Sequence, residues 1–375
     1  MRDRPRDPLT AARNLSAKAW RRAAAVPKRG VKLARRLDRL REAATACHSE
    51  WNVERAIAAV ARGRRPIIVG PWLSEVGFEV LYWIPFLRWF EDRYRVDRER
   101  VVAVSRGGVA DWYRDVADGY VEIFDHVTPD TFSRRNAQRR EEHESGGQKQ
   151  TVQGSLDRDI LSAVRRQTGL EDAAVCHPSL MYRLFNQFWL GNRALDLVVS
   201  HTRHLPLSVE PASDLDLPAR YVAAKFYTGA ALPDTSAHRG ALRDLVRTVA
   251  RRIPVVTLDT GMATDEHEDY LFRDIPNVRS LHDRLTPRTN LGVQASVIAG
   301  AERFIGTCGS VAWIAPMLGV NTTAVYAEDR FLASHIMFAG QVYGRMGAAR
   351  FETLDVSAVM QTDGLASLAV DTVRG

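Results

Sequence analysis

The feature that most limits what this chain can fold into is a repeated order of segments. A short apolar, β-branched run is followed by a glycine-bearing or polar turn, and then by a stretch long enough for a helix. In the first half the runs are Pro66-Ile-Ile-Val69 and Val101-Val-Ala-Val104, with Ile123-Phe-Asp125 as a short third. The second half restarts the pattern with Tyr221-Val-Ala-Ala224, Val255-Val-Thr-Leu258, Val278 to Leu281, Arg303 to Ile305 and Thr322 to Tyr326. Brief apolar runs without alternation suit strands buried on both faces, and strands separated by helices pair in parallel. The predicted class is therefore α/β, doubly wound, in which ligands gather at the carboxyl ends of the strands.

The alternation stops and restarts across His201 to Asp216, a proline-containing polar stretch that reads as a linker. The expected organisation is a basic extension over 1–50, a first Rossmann-like domain over 51–210, a second over 211–345, and a helical segment over 346–375. In that last segment Val356 to Val373 is expected to cross back onto the first domain. Ser133 to Gln153, rich in Arg and Glu, reads as a surface insertion or alternatively as a substrate lid. Pro178 to Trp189 carries Leu180, Met181, Leu184, Phe185 and Phe188 at helical spacing, a pattern of core packing.

Charge is distributed unevenly. The formal net charge is +7, yet residues 1–41 hold fourteen Lys and Arg against three Asp and Glu, while the other 334 residues hold 38 basic and 42 acidic side chains. The folded body is thus slightly acidic, which argues against a nucleic-acid partner. The basic segment reads either as an amphipathic helix lying on an anionic membrane surface or as a solvated arm. It has no secretory hydrophobic region and the chain has no membrane-length apolar run, so a cytoplasmic location is expected, peripheral to the inner membrane face if the arm binds lipid. Cys47, Cys176 and Cys308 are too scattered for a disulfide framework or a zinc site.

One turn stands out. Ala301-Glu-Arg-Phe-Ile-Gly-Thr-Cys-Gly-Ser-Val-Ala-Trp-Ile-Ala-Pro-Met-Leu-Gly319 reads as a strand, a Gly306-Thr-Cys-Gly-Ser310 turn and a helix opening near Ser310. Glycines that let the backbone approach a ligand, two hydroxyl donors and helix N–H groups suit a phosphate; the same residues also serve an ordinary strand-to-helix connection. The other informative stretch is Gly70-Pro-Trp-Leu-Ser-Glu-Val-Gly-Phe-Glu79, a strand end and glycine-bounded turn leading into an aromatic-rich helix.

With these motifs the chain resembles glycosyltransferases of the B-type fold (GT-B), in which two Rossmann-like domains face each other across a cleft. The resemblance spans about residues 66 to 345 and is strongest over 290 to 326, which resembles the nucleotide-sugar half of bacterial polysaccharide and lipopolysaccharide enzymes of the heptosyltransferase and fucosyltransferase-like groups. It implies transfer of a sugar from a nucleotide-activated donor to a polysaccharide, lipid-linked or other glycan acceptor. It also implies that Gly306, Thr307, Gly309 and Ser310 meet the donor diphosphate, that Lys225 supplies a fixed cation with Thr228 and Gly229 beside it, and that Asp259, Thr260 and Gly261 line the cleft near the nucleoside. Trp72, Arg106, His267, Asn290, Gln294 and His335 are further cleft-lining candidates, with Asp265 as another polar one; each also reads as a cap, core or surface residue.

The fold usually needs no metal, and no cofactor beyond the donor is expected. The chain has no DxD motif behind an apolar strand, Asp214-Leu-Asp216 lying in the linker. For the acceptor hydroxyl the candidate base is Glu75, then Glu79; both equally suit helix-terminal carboxylates. The chain departs from the heptosyltransferase pattern in having Pro71-Trp72, where that group carries an acidic residue directly after the first glycine. Two other readings stand beside transfer: a nucleotide-sugar epimerase or polysaccharide pyruvyltransferase of the same fold, and a non-catalytic membrane-associated scaffold.

Overall fold

The computed structural model describes residues 49–141, 150–262, 267–330 and 332–361. The basic segment 1–41, Asp265 and residues 362–375 lie outside them. The chain divides into two compact units, Met1–Arg55 and Ala56–Gly375. Of the first, residues 49–55 are helical. The second holds two all-parallel sheets.

The first sheet contains β1 (Ile67–Val69), β2 (Val101–Ser105), β3 (Gly119–Glu122) and β4 (Ala174–Cys176) in the spatial order β3-β2-β1-β4. Ile67 pairs with Val101 on one side and Ala174 on the other, and every β1 residue is buried, which explains its unbroken apolar sequence. The second sheet contains β5 (Val222–Lys225), β6 (Val255–Thr257), β7 (Val278–Ser280), β8 (Arg303–Thr307), β9 (Thr322–Tyr326) and β10 (Phe351–Asp355), ordered β10-β9-β8-β5-β6-β7. Renumbered from its own first strand, each half begins 3-2-1-4, and the second continues 5-6, which is the doubly wound Rossmann order. The chain leaves the first strand of each half in one direction and returns on the other side, so a crevice opens at the carboxyl ends of β1 and β4, and another at β5 and β8.

Helix α1 (residues 76–94) comes directly after the first crevice. It starts as a regular turn over Val76–Phe78, widens into a π-helical stretch over Glu79–Trp83, and resumes as Ile84–Tyr94. Pro85 has no N–H to offer the carbonyl four residues back, and that carbonyl, Leu81 O, accepts instead from His204 Nε2 at 3.0 Å. Burial holds the His204 pKa down at about 3, so the ring is neutral. Helices α2 (Pro129–Glu141), α3 (Ser155–Thr168) and α4 (Pro178–Trp189) follow in the first half, with a four-residue helix at Asp196–Val199. Leu156, Ile160, Leu161 and Val164 of α3 pack on Ile68, Val104 and Val121. In the second half α5 (Ser236–Ala250) is capped by Thr235, whose side chain accepts from His238 N, and buries Leu242, Leu245, Val246 and Val249 against Val222, Val255 and Ile305. Helices α6 (Asn290–Ala299), α7 (Ala333–Met346) and α8 (Val356–Gln361) complete the second half.

Several expectations are corrected. The third strand of the first half is Gly119–Glu122, and Ile123–Asp125 is a 3₁₀ turn in which Phe124 N donates to the Glu122 side chain. The region from 346 onward is not purely helical, because Phe351–Asp355 forms β10 alongside β9. Val356, opening α8, is wholly buried in the core of the second half, and the rest of the expected crossing segment beyond residue 361 lies outside the described residues. The polar stretch around 133–153 is no loose insertion where described: α2 buries Asn136 and Arg139, and Gln150 has no exposure at all. Residues 202–221 contain no helix or strand. Among the described residues no helix is long and apolar enough to cross a membrane.

Candidate functional site

The crevice of the second sheet begins with Lys225, the last residue of β5, paired in register with Gly306 of β8. A Cβ at Gly306 would lie 2.3 Å from Lys225 O, so this glycine serves the close pairing of the two strands. Thr307 is likewise turned inward: its hydroxyl accepts from Tyr227 N at 3.0 Å and faces Tyr227 O at 3.2 Å, fixing the chain that leaves β5 to the end of β8. Gly309 has φ +124 and Ser310 φ +41, and this positive-φ pair swings the chain toward the crevice. The chain then forms a 3₁₀ turn, Ser310–Trp313, and a four-residue helix, Ile314–Met317, in place of the longer helix expected there.

A cavity of ≈ 50 Å³ occupies this crevice. Six expected residues line it together: Lys225, Thr260, His267, Asn290, Gln294 and Ser310. Tyr227, Met262, Asp269, Leu291 and Val311 join them, and Val76, the first residue of α1, closes it from the first half. A Cβ at Gly77 would stand 2.8 Å from Ser310 N, so the start of α1 lies directly against the turn.

Asp269 is the charged member that sequence reasoning missed. Its carboxylate accepts from Thr260 N at 2.6 Å and lies 3.5 Å from Lys225 Nζ, which also donates to Leu258 O at 2.9 Å. Lys225 and Asp269 are each only 11% exposed, so their mutual attraction is poorly screened. An isolated antiparallel bridge from Tyr227 to Asp269 brings the carboxylate there. The only trace of this in the sequence is the acidic cluster Asp265 to Asp269.

Thr228 and Gly229 stand beside the cavity, where Thr228 O accepts from His267 Nδ1 at 3.0 Å and Gly229 approaches the same ring. Asp259 does not line the cavity. It is 3% exposed, and its oxygens accept from Thr257, Arg273 and Ser280 at 2.7, 3.0 and 2.9 Å, tying β6 to β7. Gly261 packs against the ring of His282.

In the first half, Glu75 occupies the N-cap position of α1, half-buried and adjacent to the cavity-lining Val76. Glu79 is wholly buried, and its Oε1 accepts from Ser105 Oγ and Tyr113 OH, both at 2.5 Å, while Oε2 has no partner among the described residues. Burial is the main cause that pushes its pKa up to about 7, against the two hydrogen bonds and the nearby Arg106 charge, which lower it. Arg106 is buried, donating to Ser74 O at 3.2 Å and lying over the Phe132 ring. Trp72 has no exposure and stacks on Trp83 and Tyr182, with ring centroids 5.8 and 5.9 Å away, so it belongs to the core beneath the turn. His335 of α7 is 2.6 Å from Tyr82 OH through Nδ1, joining the second half to the π-helical stretch outside the cavity. Among the described residues no three His, Cys, Asp or Glu side chains are grouped as a metal ion would require.

No family model matches the chain, and no curated protein matches it. Similar solved structures include a family 9 glycosyl transferase from Veillonella parvula DSM 2008, with a TM-score of 0.44, 10% identity, and 81% of this chain and 90% of that one covered. The ADP-heptose lps heptosyltransferase II of E. coli is similar at a TM-score of 0.44 and 11% identity, over 82% of this chain and 99% of that one. A putative UDP-N-acetylglucosamine 2-epimerase from Listeria monocytogenes is similar at a TM-score of 0.37 and 10% identity, over 84% and 89%. These are distant likenesses of overall architecture, so the site itself has to carry a functional reading.

Proposed function

We propose that the protein is a glycosyltransferase that takes a sugar from a nucleotide-activated donor. The observation that carries this reading is the second-sheet cavity, where Lys225 and Ser310 meet at a topological switch point while Val76, next to Glu75, closes the space from the first half. A doubly wound sheet opens a crevice at that place, and a lysine there suits a diphosphate.

In the proposed reaction the acceptor hydroxyl oxygen attacks the anomeric carbon of the donor sugar and forms the new glycosidic bond. The bond from that carbon to the diphosphate oxygen breaks, its electron pair leaving with the nucleoside diphosphate beside Lys225. The hydroxyl proton passes to the Glu75 carboxylate and then to water. Ser310 and the backbone around Gly309 support the diphosphate, with Thr228, Gly229 and Thr260 bordering the nucleotide. A polysaccharide or lipid-linked glycan approaches from the side of α1, and the basic segment 1–41 holds the protein at an anionic surface.

The test is a thermal-shift series with UDP, GDP, ADP and CDP. One nucleotide should raise the melting temperature, by an amount equivalent to about 2.7 kcal/mol at a hundredfold excess over its Kd. Lys225→Ala should abolish that rise while leaving the circular dichroism spectrum unchanged. Absence of stabilisation by all four nucleotides would sink the transferase reading and favour a scaffold.

A further inference from the structure

The side chain of Gln294 is in an unusual position for a buried amide. It is 1% exposed, it lines the second-sheet cavity, and its Oε1 is buried with no hydrogen-bond partner among the described residues. A buried amide is ordinarily satisfied, and one left open costs stability that an apolar side chain of the same length would not. Nothing in the packing of α6 demands a glutamine at this position. Of the other buried residues of that helix, Leu291, Ala295, Val297 and Ile298 are apolar, and only Asn290, one turn earlier, is polar.

The surroundings indicate what the amide meets. Asn290, one turn earlier, donates through Nδ2 to Pro287 O at 3.3 Å, leaving Oδ1 as an acceptor. His267 donates through Nδ1 to the Thr228 carbonyl at 3.0 Å, which fixes its ring beside Gly229. Asp269 adds a carboxylate. Against these, the described lining residues include one lysine or arginine, Lys225. Gln294 Oε1 is thus a buried lining acceptor still open among the described residues, and its complement is a ligand portion that carries a donor such as a hydroxyl group.

We infer that Gln294 is a specificity-determining residue that accepts a hydrogen bond from a sugar-ring hydroxyl of the donor, with Lys225 holding the diphosphate. This rests on the reading of the cavity as a nucleotide-sugar site and adds the part of the ligand that the amide selects. Two rings of such a donor carry hydroxyls, the ribose and the transferred sugar, and the experiment separates them.

Gln294→Met keeps length and volume and removes the amide. The protein without ligand should melt at the same temperature as the wild type or higher, because the replaced group had no partner; a residue with a structural role would lower it. Binding is then measured by titration calorimetry for UDP, ADP, GDP and CDP and for the glucose conjugate of each. The expected result is an affinity about tenfold lower in the variant for the nucleotide that the wild type binds. A loss shared by the free diphosphate and its conjugate puts the hydroxyl on the ribose, and a loss confined to the conjugate puts it on the transferred sugar. Wild-type affinity of Gln294→Met for both, or a lower melting temperature without ligand, overturns the inference while leaving the transferase reading intact. A wild-type protein that binds none of the eight probes overturns the transferase reading and this inference with it.

Discussion

The two crevices share a topology and differ in what fills them. In the first, at β1 and β4, the protein's own polar groups occupy the space. Gln150 accepts from Leu73 N at 2.8 Å and donates to Pro71 O at 3.0 Å and to Asp157 at 2.9 Å, while His177 contacts the same carboxylate at 2.8 Å. Asn136 donates to Leu73 O at 3.1 Å. The turn after β1 is thereby tied down along its length. In the second crevice, at β5 and β8, a lysine faces a single carboxylate and a buried glutamine has an open acceptor. Two buried glutamines, one at each switch point, mark the contrast: Gln150 is fully engaged and Gln294 is not. A doubly wound sheet creates a crevice wherever its strand order reverses, and the side chains decide whether it becomes scaffold or site.

The contrast can be tested where its consequences are largest. If the filled first crevice serves to present Glu75 to the open second one, Glu75→Gln should lower turnover by about two to four orders of magnitude with donor affinity unchanged. Steady-state kinetics alongside calorimetry would detect this, and a normal rate would remove Glu75 as the base.

Glu79 provides the next largest effect, on stability. Its folded pKa of about 7 lies above the ordinary 4.5, so the folded protein holds a proton that the unfolded chain releases between those values. The stabilising contribution is full below pH 4.5, declines as pH rises through 7, and amounts to about 3 kcal/mol for a shift of this size. Urea unfolding across pH 4.5 to 8 should show this decline in the wild type. Glu79→Gln, neutral throughout, should lack it and be the more stable of the two at pH 8. Parallel profiles would place the ionisation elsewhere.

The smallest effect is the most direct test of the contrast. Gln150→Ala removes a group with three hydrogen bonds and should cost about 1–3 kcal/mol, read as a lower urea midpoint. Gln294→Met should cost nothing. Equal losses at the two positions would erase the distinction between scaffold and site.

Much of this architecture was legible because local chemistry and tertiary context agreed. The runs Ile67 to Val69 and Val222 to Ala224 are apolar on both faces and could only be buried parallel strands, and α4 spans the range, Pro178–Trp189, that its spacing predicts. Strand β10 was not legible. Phe351-Glu-Thr-Leu-Asp355 alternates weakly, and as an edge strand it borrows its order from β9. Trp72 looked like a cleft aromatic because it comes after a turn, and only the stacking of Trp83 and Tyr182 around it shows that it belongs to the core.

The sequence alone determined the α/β class, the two successive strand-and-helix units, and the glycine turn at Gly306 to Ser310, because periodicity and turn chemistry are local properties. It also marked Lys225 as a strand-end cation. The tertiary structure decided which polar residues look into the cavity. Asp259 and Thr307 are spent on internal hydrogen bonds, Asp269 arrives through an antiparallel bridge, and Gln294 alone of the buried pair keeps its acceptor open. Hydrogen-bond satisfaction depends on groups distant in sequence, and their partners exist only once the chain has folded.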